Sequence, residues 1–193
     1  MRLWWMVLAL LLAFAPAALR AGPYEDGVDA AKAGDYPAAV RHFRVAAELG
    51  SPDAQNDLGA MYANGRGVPQ HYAEAVRWYR KAAERGHVNA QTNLGLMYAE
   101  GRGVPQDYLA ALRWWRKAAE KGFADAQYNL GAMYANGLGV QRDFVQTHMW
   151  WTLAAAQGQT EAAKYREVLA SQMSPAQIAE AQGLAREWKP KGK

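Results

Sequence analysis

The chain of 193 residues contains no cysteine and has little serine or histidine. Without cysteine there is no disulfide bridge, no zinc site with thiolate ligands and no cysteine nucleophile. The only serines are Ser51, Ser171 and Ser174, and none of them begins an S-x-x-K motif or lies in a G-x-S-x-G motif. The four histidines show no metal-ligand spacing, and we expect His42 and His148 on helix surfaces. The sequence therefore predicts a protein that is not an enzyme and that holds no metal and no cofactor.

A large excess of one charge is also missing from the body of the chain. The formal net charge is +4, from 22 lysines and arginines against 18 aspartates and glutamates. Five of the basic residues stand near the two ends, namely Arg2, Arg20, Lys189, Lys191 and Lys193. Because the remaining basic and acidic residues nearly balance, the overall charge gives no support to a nucleic-acid partner.

Residues 1–21 have the pattern of a secretory signal peptide. Arg2 precedes an uncharged apolar run, and the small residues after this run fit cleavage either after Ala17 or after Ala21. An uncleaved membrane anchor is the alternative, but the run contains Pro16 and is at the short end of the length that spans a bilayer. We predict an exported protein, periplasmic or secreted, without a membrane span in its mature form.

An internal repeat dominates the rest of the sequence. Aligning the chain with itself at a shift of 36 residues gives three copies, over 51–86, 87–122 and 123–158, and the first two copies share 23 of 36 positions. In each copy, apolar residues at helical spacing precede and follow a glycine-rich loop, which predicts two helices, A and B. A repeat of this length made of paired helices indicates a solenoid, in which each unit buries its apolar faces against its neighbours.

The residues shared by the copies resemble the Sel-1-like repeat family. The family's pattern A-x-x-x-L-G-x-x-Y-x-x-G-x-G-V is followed by A-x-x-W-x-x-K-A-A-x-x-G. In the first copy it is carried by Ala54, Leu58, Gly59, Tyr62, Gly65, Gly67, Val68, Ala75, Trp78, Lys81, Ala82, Ala83 and Gly86. The second copy repeats every one of these residues, whereas the third has Gln141, Thr147 and Leu153 in place of proline, alanine and lysine. The resemblance implies an all-α fold, a right-handed α-α superhelix of helix-turn-helix units similar to tetratricopeptide repeats, and an adaptor or assembly role.

The flanks of the three copies resemble partial units. We predict a capping helix pair with a shorter loop over 22–50 and C-terminal capping helices over 159–188. The segment from Ser174 to Gln177 should form a capping box at the start of the last helix. We expect the basic tail, residues 189–193, to be disordered.

Two surfaces are candidates for binding. By resemblance to tetratricopeptide grooves, the inner, concave face of the A helices should grip a segment of a protein partner. Its predicted residues are Asn56, Asp57, Thr92, Asn93, Tyr128 and Asn129, with Asn64, Glu100 and Asn136 at the helix ends. In the alternative interpretation of these residues, the asparagines bond the backbone of the neighbouring repeat instead of a partner.

The second surface is a basic strip on helix B, formed by Arg77, Arg80 and Lys81 and repeated 36 residues later. This strip could contact an anionic polymer or a membrane surface in an envelope structural or maintenance factor. However, Glu84 stands four residues after Arg80, so we expect intrahelical ion pairs on a solvated face. Trp78, at the same place in the repeat as two later tryptophans, is expected to be a packing residue.

Overall fold

The computed structural model describes residues 22–191, and the predicted signal peptide therefore lies outside the described residues. Within this range the protein is all-helical, with no strand, and it forms the predicted helical-repeat solenoid. Its helices are α1 (Pro23–Lys32), α2 (Tyr36–Glu48), α3 (Pro52–Asn64), α4 (Tyr72–Glu84), α5 (Val88–Glu100), α6 (Tyr108–Glu120), α7 (Ala124–Asn136), α8 (Phe144–Ala155), α9 (Thr160–Ala170) and α10 (Pro175–Glu187). No helix of this part of the chain is long and apolar enough to cross a membrane.

The helices begin at the capping residues that the repeat provides. Ser51 accepts a hydrogen bond from the backbone N–H of Ala54 at the start of α3, and Asp107 and Asp143 cap α6 and α8 in the same way. His71 occupies the corresponding position before α4 and caps it through Nδ1, which lies 3.1 Å from the backbone nitrogen of Glu74. Side-chain capping therefore begins both helices in the first two copies and α8 in the third, whereas α7 begins after Phe123 without a side-chain cap.

The loop between helices A and B rests on the preceding unit. Gly67 has a φ of +73°, and a Cβ atom at this position would lie 2.4 Å from the backbone carbonyl of Tyr36. Gly103 shows the same geometry against Tyr72, with a φ of +72°. Glycine is required here because the backbone is left-handed and because the first turn of the previous helix leaves no room for a side chain.

Within each unit, an aromatic ring of helix B packs against a glycine of helix A. A Cβ atom on Gly59 would lie 2.7 Å from the ring of Tyr79, and one on Gly95 would lie 2.6 Å from the ring of Trp115. The Leu-Gly pair of the repeat thus has two functions. The leucine, for example Leu58, is fully buried, and the glycine lets the two helices approach closely.

The C-terminal part closes the solenoid. The predicted capping box is confirmed, since Ser174 and Gln177 bond each other's backbone N–H groups at the start of α10. We expect a disordered tail over 189–193, but residues 189–191 lie against α6, and residues 192–193 are outside the described range. Lys191 donates its backbone N–H to the carbonyl of Glu120 at 2.7 Å and places Nζ 3.1 Å from Oε1 of the same residue. Just before it, the ring of Trp188 meets Trp150 edge-on, with centroids 6.3 Å apart.

One expectation about a helix surface is wrong, and one about the packing of tryptophans holds in part. His148 is only 4% exposed, because α9 and α10 both pack on α8 and cover it. This burial, together with the guanidinium of Arg166, lowers the pKa of His148. The tryptophans at the repeated position of helix B differ in exposure: Trp78 and Trp150 are buried as predicted, whereas Trp114 is only half-buried.

Two glycine substitutions test how the loop rests on the preceding unit. Gly122→Ala should lower the free energy of unfolding by about 1 kcal/mol, because the backbone there is left-handed at φ +90° but the nearest atom is an ordinary 3.5 Å away. Gly103→Ala should cost roughly 2–4 kcal/mol, because the new Cβ also collides with the backbone of Tyr72. Urea unfolding of the two variants measures the difference, and equal costs would contradict this packing.

Candidate functional site

The A helices present one side that is not covered by the rest of the described chain. We call this side the A face. Its residues come from α1, α3, α5, α7 and α9 and form four rows that run across the helices. The first row is Asp53, Asn89, Asp125 and Glu161; the second is Glu25, Asp57, Asn93, Asn129 and Tyr165; the third is Val28, Ala60, Leu96, Ala132 and Val168; and the fourth is Lys32, Asn64, Glu100 and Asn136.

The structure places six of the nine predicted binding residues on the A face. Asp57, Asn93 and Asn129 belong to the second row, and Asn64, Glu100 and Asn136 form most of the fourth. The remaining three residues point between neighbouring repeats, so the prediction that they lie on an open face is wrong for the first two of them. Asn56 and Thr92 are each 9% exposed, and Tyr128 is half-buried.

Packing between repeats explains these three positions. The rings of Tyr128, Trp151 and Tyr165 contact one another, and the centroid of Tyr128 lies 6.3 and 6.4 Å from those of Trp151 and Tyr165. Thr92 donates its hydroxyl to the carbonyl of Val88 one turn earlier in its own helix. Asn56 and Tyr128, each one position before the second row, thus contact the next A helix.

A chain of hydrogen bonds links the first three A helices. Tyr24 donates its hydroxyl to Oδ2 of Asp57 at 3.2 Å, and Asn56 donates to Oδ1 of the same carboxylate at 3.1 Å. Asn93 then donates to the side-chain carbonyl of Asn56 at 3.1 Å. The alternative interpretation of these residues is therefore partly correct, because these asparagines bond the neighbouring repeat, although through side chains.

Burial determines the protonation behaviour of this chain of bonds. It raises the pKa of Asp57, against the opposing effect of the two hydrogen bonds that the carboxylate accepts. Burial and the adjacent Asp57 raise the pKa of Tyr24 to about 12. At neutral pH the tyrosine therefore remains a hydrogen-bond donor to the carboxylate.

The fourth row is partly occupied by contacts within the chain. Asn64 and Asn136 each donate to the carbonyl one turn earlier in their own helices, at 2.9 and 2.8 Å. Glu100 lies 3.0 Å from the guanidinium of Arg102. These residues chiefly satisfy groups at the helix ends, as short polar side chains commonly do.

Sequence reasoning missed the third row, which is apolar. Leu96 is 37% exposed and Val168 is 56% exposed, and Val28, Ala60 and Ala132 complete the row between polar neighbours. In the sequence these residues cannot be distinguished from core positions, because a helix between two others buries apolar residues on more than one side. Only the three-dimensional arrangement shows that this row is uncovered.

A cavity of about 370 Å³ opens at the N-terminal end of the A face. It lies between α1, α2 and α3, and Asp57 stands in its wall. Its apolar lining is formed by Val28, Ala31, Tyr36, Phe43, Ala60 and Met61, with Lys32 and Arg66 on its rim. The sequence signal that could have indicated it is the short connection between α1 and α2, residues 33–35, where the next unit has residues 65–71.

The arginines of the basic strip on helix B form hydrogen bonds with the next repeat. We expect Arg80 to pair with Glu84, but Arg80 instead donates to the hydroxyl of Tyr98 in the next repeat at 2.9 Å. Arg116 does the same with Tyr134, also at 2.9 Å. The guanidinium groups therefore join adjacent units.

A second contact between units uses a glutamine that the sequence analysis did not select. Gln55, Gln91 and Gln127 are 4%, 3% and 0% exposed, and each donates its side-chain N–H to a carbonyl in the last turn of the preceding helix B. The donor–acceptor distances are 3.0, 3.0 and 3.2 Å. The sequence contains a signal for this contact, because glutamine recurs at the same repeat position in all three copies.

The sequence matches a known family of helical repeats. The model of the Sel1 repeat matches four stretches of the sequence, at residues 15–51, 52–87, 88–123 and 124–159. The chain belongs to the Sel1 repeat family. The first match includes α1 and α2, predicted above as a capping pair, and it begins inside the predicted signal peptide. A fixed shift of 36 residues does not find this unit, because its loop is shorter.

Solved structures of similar proteins share the fold. A Sel1 repeat protein from Oxalobacter formigenes has a TM-score of 0.69 at 36% sequence identity, over 74% of this chain and 57% of that one. A protective antigen present in uropathogenic Escherichia coli strains, displaying an SLR fold, has a TM-score of 0.61 at 28% identity, over 86% of this chain and 44% of that one. This chain thus spans about half the length of these two relatives. No curated protein matches it.

The family gives the general class of function. Sel1 repeats are protein–protein interaction modules, and the proteins built from them are generally non-catalytic scaffolds that bind protein partners.

The buried glutamine provides a test of the contact between repeats. Gln91→Ala should lower the free energy of unfolding by roughly 2 kcal/mol, because the carbonyl of Ala83 loses its donor and a cavity remains. Asn89→Ala, at an exposed site on the same helix, is the matched control and should change stability by less than about 0.5 kcal/mol. Urea unfolding measures both variants, and equal stabilities would show that the glutamine contact contributes nothing.

Proposed function

We propose that this Sel1 repeat protein is an exported, non-catalytic scaffold that binds a segment of a protein partner along the A face. The observation that carries this proposal is the exposed apolar row between rows of carboxylates and amides. Leu96 and Val168 are large apolar side chains that the described chain leaves uncovered, in the middle of a surface formed by five successive helices. Such a surface suits an extended partner segment with apolar side chains.

The helix B strip is less suited to the alternative role of contacting an anionic polymer or membrane surface. Lys81 and Lys117 lie 4.5 Å from the ring centroids of Trp78 and Trp114, respectively. Arg80 donates to Tyr98 of the next repeat, as described above. A charge that already has a partner in the fold contributes less to an external ligand, since binding must first replace the internal contact.

Charge substitutions in the apolar row test the A face. The double variant Leu96→Lys, Val168→Lys should keep its melting temperature, because both side chains are exposed, but should lose the partner captured by the unaltered protein from the envelope fraction. The control is Leu49→Lys, Leu109→Lys, which alters exposed leucines directly after α2 and in the first turn of α6. Loss of the captured protein in the control alone would assign binding to the B side.

Export rests on the N-terminal pattern. Residues 1–21 combine a basic start, an apolar run and small residues, and the 28% identical relative is a protective antigen, which supports an envelope or secreted location. We expect the mature protein to begin between Ala18 and Gly22, as N-terminal sequencing of the exported fraction would show. Recovery of chains that still begin at Met1 from the membrane fraction would instead demonstrate an uncleaved anchor.

A further inference from the structure

The cavity between α1 and α3 is an open depression at the N-terminal end of the A face, and small side chains leave room for it. Ala60 lines it where the next repeat has Leu96 at the equivalent position. The short connection between α1 and α2 contributes as well. In the following unit, Gln70 of the longer loop donates to the carbonyl of Ala63 at 2.8 Å, and residues 33–35 include no counterpart of this side chain. A side chain smaller than Leu96 and a connection shorter than that of the following unit therefore both leave room at this end of the A face.

Asp57 gives this apolar cavity one charged wall. Both of its hydrogen-bond donors, the hydroxyl of Tyr24 and the amide of Asn56, are neutral, and no lysine or arginine between Gly22 and Lys191 forms an ion pair with it. Burial raises its pKa, which indicates that the carboxylate is poorly compensated. A half-buried carboxylate of this kind is stabilised by a cation that a ligand brings to it.

The lysine and the arginine on the opposite rim already contact other residues of the chain. Lys32 lies 3.7 Å from the carboxylate of Asp29, and the guanidinium of Arg66 lies over the ring of Tyr36 at 5.7 Å from its centroid. On the side of Asp57, the neighbouring residues of the first two rows include Asp53 and Glu25, both acidic and exposed; Nε2 of His87 lies 3.1 Å from Asp53, but no lysine or arginine of the described chain pairs with either carboxylate. A positively charged group of a partner would therefore complement the carboxylates at this end of the A face.

We infer that this cavity is the anchor site of the A face and that it takes a bulky apolar side chain of the partner, next to a lysine or arginine that pairs with Asp57. A volume of about 370 Å³ accommodates one large side chain, and the lining is predominantly apolar. The inference rests on the proposed function, and it adds where the partner is held and which residues hold it.

A phage-displayed library of random heptapeptides is the probe, panned on the immobilised full chain. Peptides enriched on the unaltered protein should carry a large apolar residue adjacent to lysine or arginine. Ala60→Trp, which fills the cavity, should weaken their binding by at least about tenfold. Ala132→Trp adds the same side chain at the equivalent position of the third 36-residue copy and is the matched control, which should bind as the unaltered protein does.

A second variant separates the charge from the shape of the site. Asp57→Asn keeps acceptor and donor atoms near Tyr24 and Asn56 but removes the negative charge. It should retain the preference for an apolar residue, lose the preference for a basic neighbour and abolish the weakening of binding by added salt. Val28→Trp fills the cavity from the other wall and replaces Ala60→Trp if that variant does not fold, as judged by its melting curve.

The outcomes distinguish this inference from the proposed function. Equal peptide binding by the filled variant and its control, or an unchanged preference for basic residues in Asp57→Asn, would overturn the anchor site. The proposed function would survive that result as long as Leu96→Lys, Val168→Lys still loses the captured partner. If capture is unaffected in every A-face variant, both proposals are wrong.

Discussion

The helices α2, α4 and α6 each end in backbone carbonyl groups that their own unit does not satisfy, and the next unit supplies the donors. Gln55 and Gln91 reach back to carbonyls in the last turns of α2 and α4, while Arg85 and Lys121 donate to the carbonyls of Gly50 and Gly86. A helix end buried without such partners carries a large penalty, so no unit is complete without its successor. This dependence makes the solenoid a chain of nearest-neighbour contacts.

The distribution of polar groups over the two sides follows from the same contacts. On the B side, the long cationic side chains span the step between units and cover tryptophan rings, which consumes much of their binding capacity. The A helices are joined by shorter side chains, such as the buried Asn56 and the half-buried Asn93, which bond each other. The outer rows of the A face are consequently left for a partner, and that face is predominantly acidic, although the whole protein carries a net positive charge.

The repeat alone was sufficient to predict the fold, because glycine stops, N-caps and helical spacing recur in register and each has a local physical cause. The candidate site was predicted less completely. Asp57 and Asn93 lie on the A face as expected, but Asn56 and Thr92 are buried. Side chains at adjacent positions of a helix point in different directions, so one faces solvent while the residue before it is covered by the neighbouring structure. The cavity beside Asp57 depends on a loop length and on the size of a neighbouring alanine, and neither feature has a motif. His148, in contrast, takes a repeat position that is apolar and buried in the first two copies, so its burial could have been predicted from the repeat.

The C-terminal tail also determines where the array can grow. Beside Gly50 and Gly86 the next unit places a cationic side chain, but beside Gly122 the corresponding Gln157 bonds elsewhere, and Trp188 and Pro190 cover the glycine instead. A unit of 36 residues inserted after Gly86 would meet nearly the same surface on both sides. One inserted after Gly158 would displace α9, α10 and the tail from the unit that they cover. Duplication of a unit in the middle of the array would therefore preserve the contacts between units, whereas an insertion after Gly158 would break those that α9, α10 and the tail make with α6 and α8.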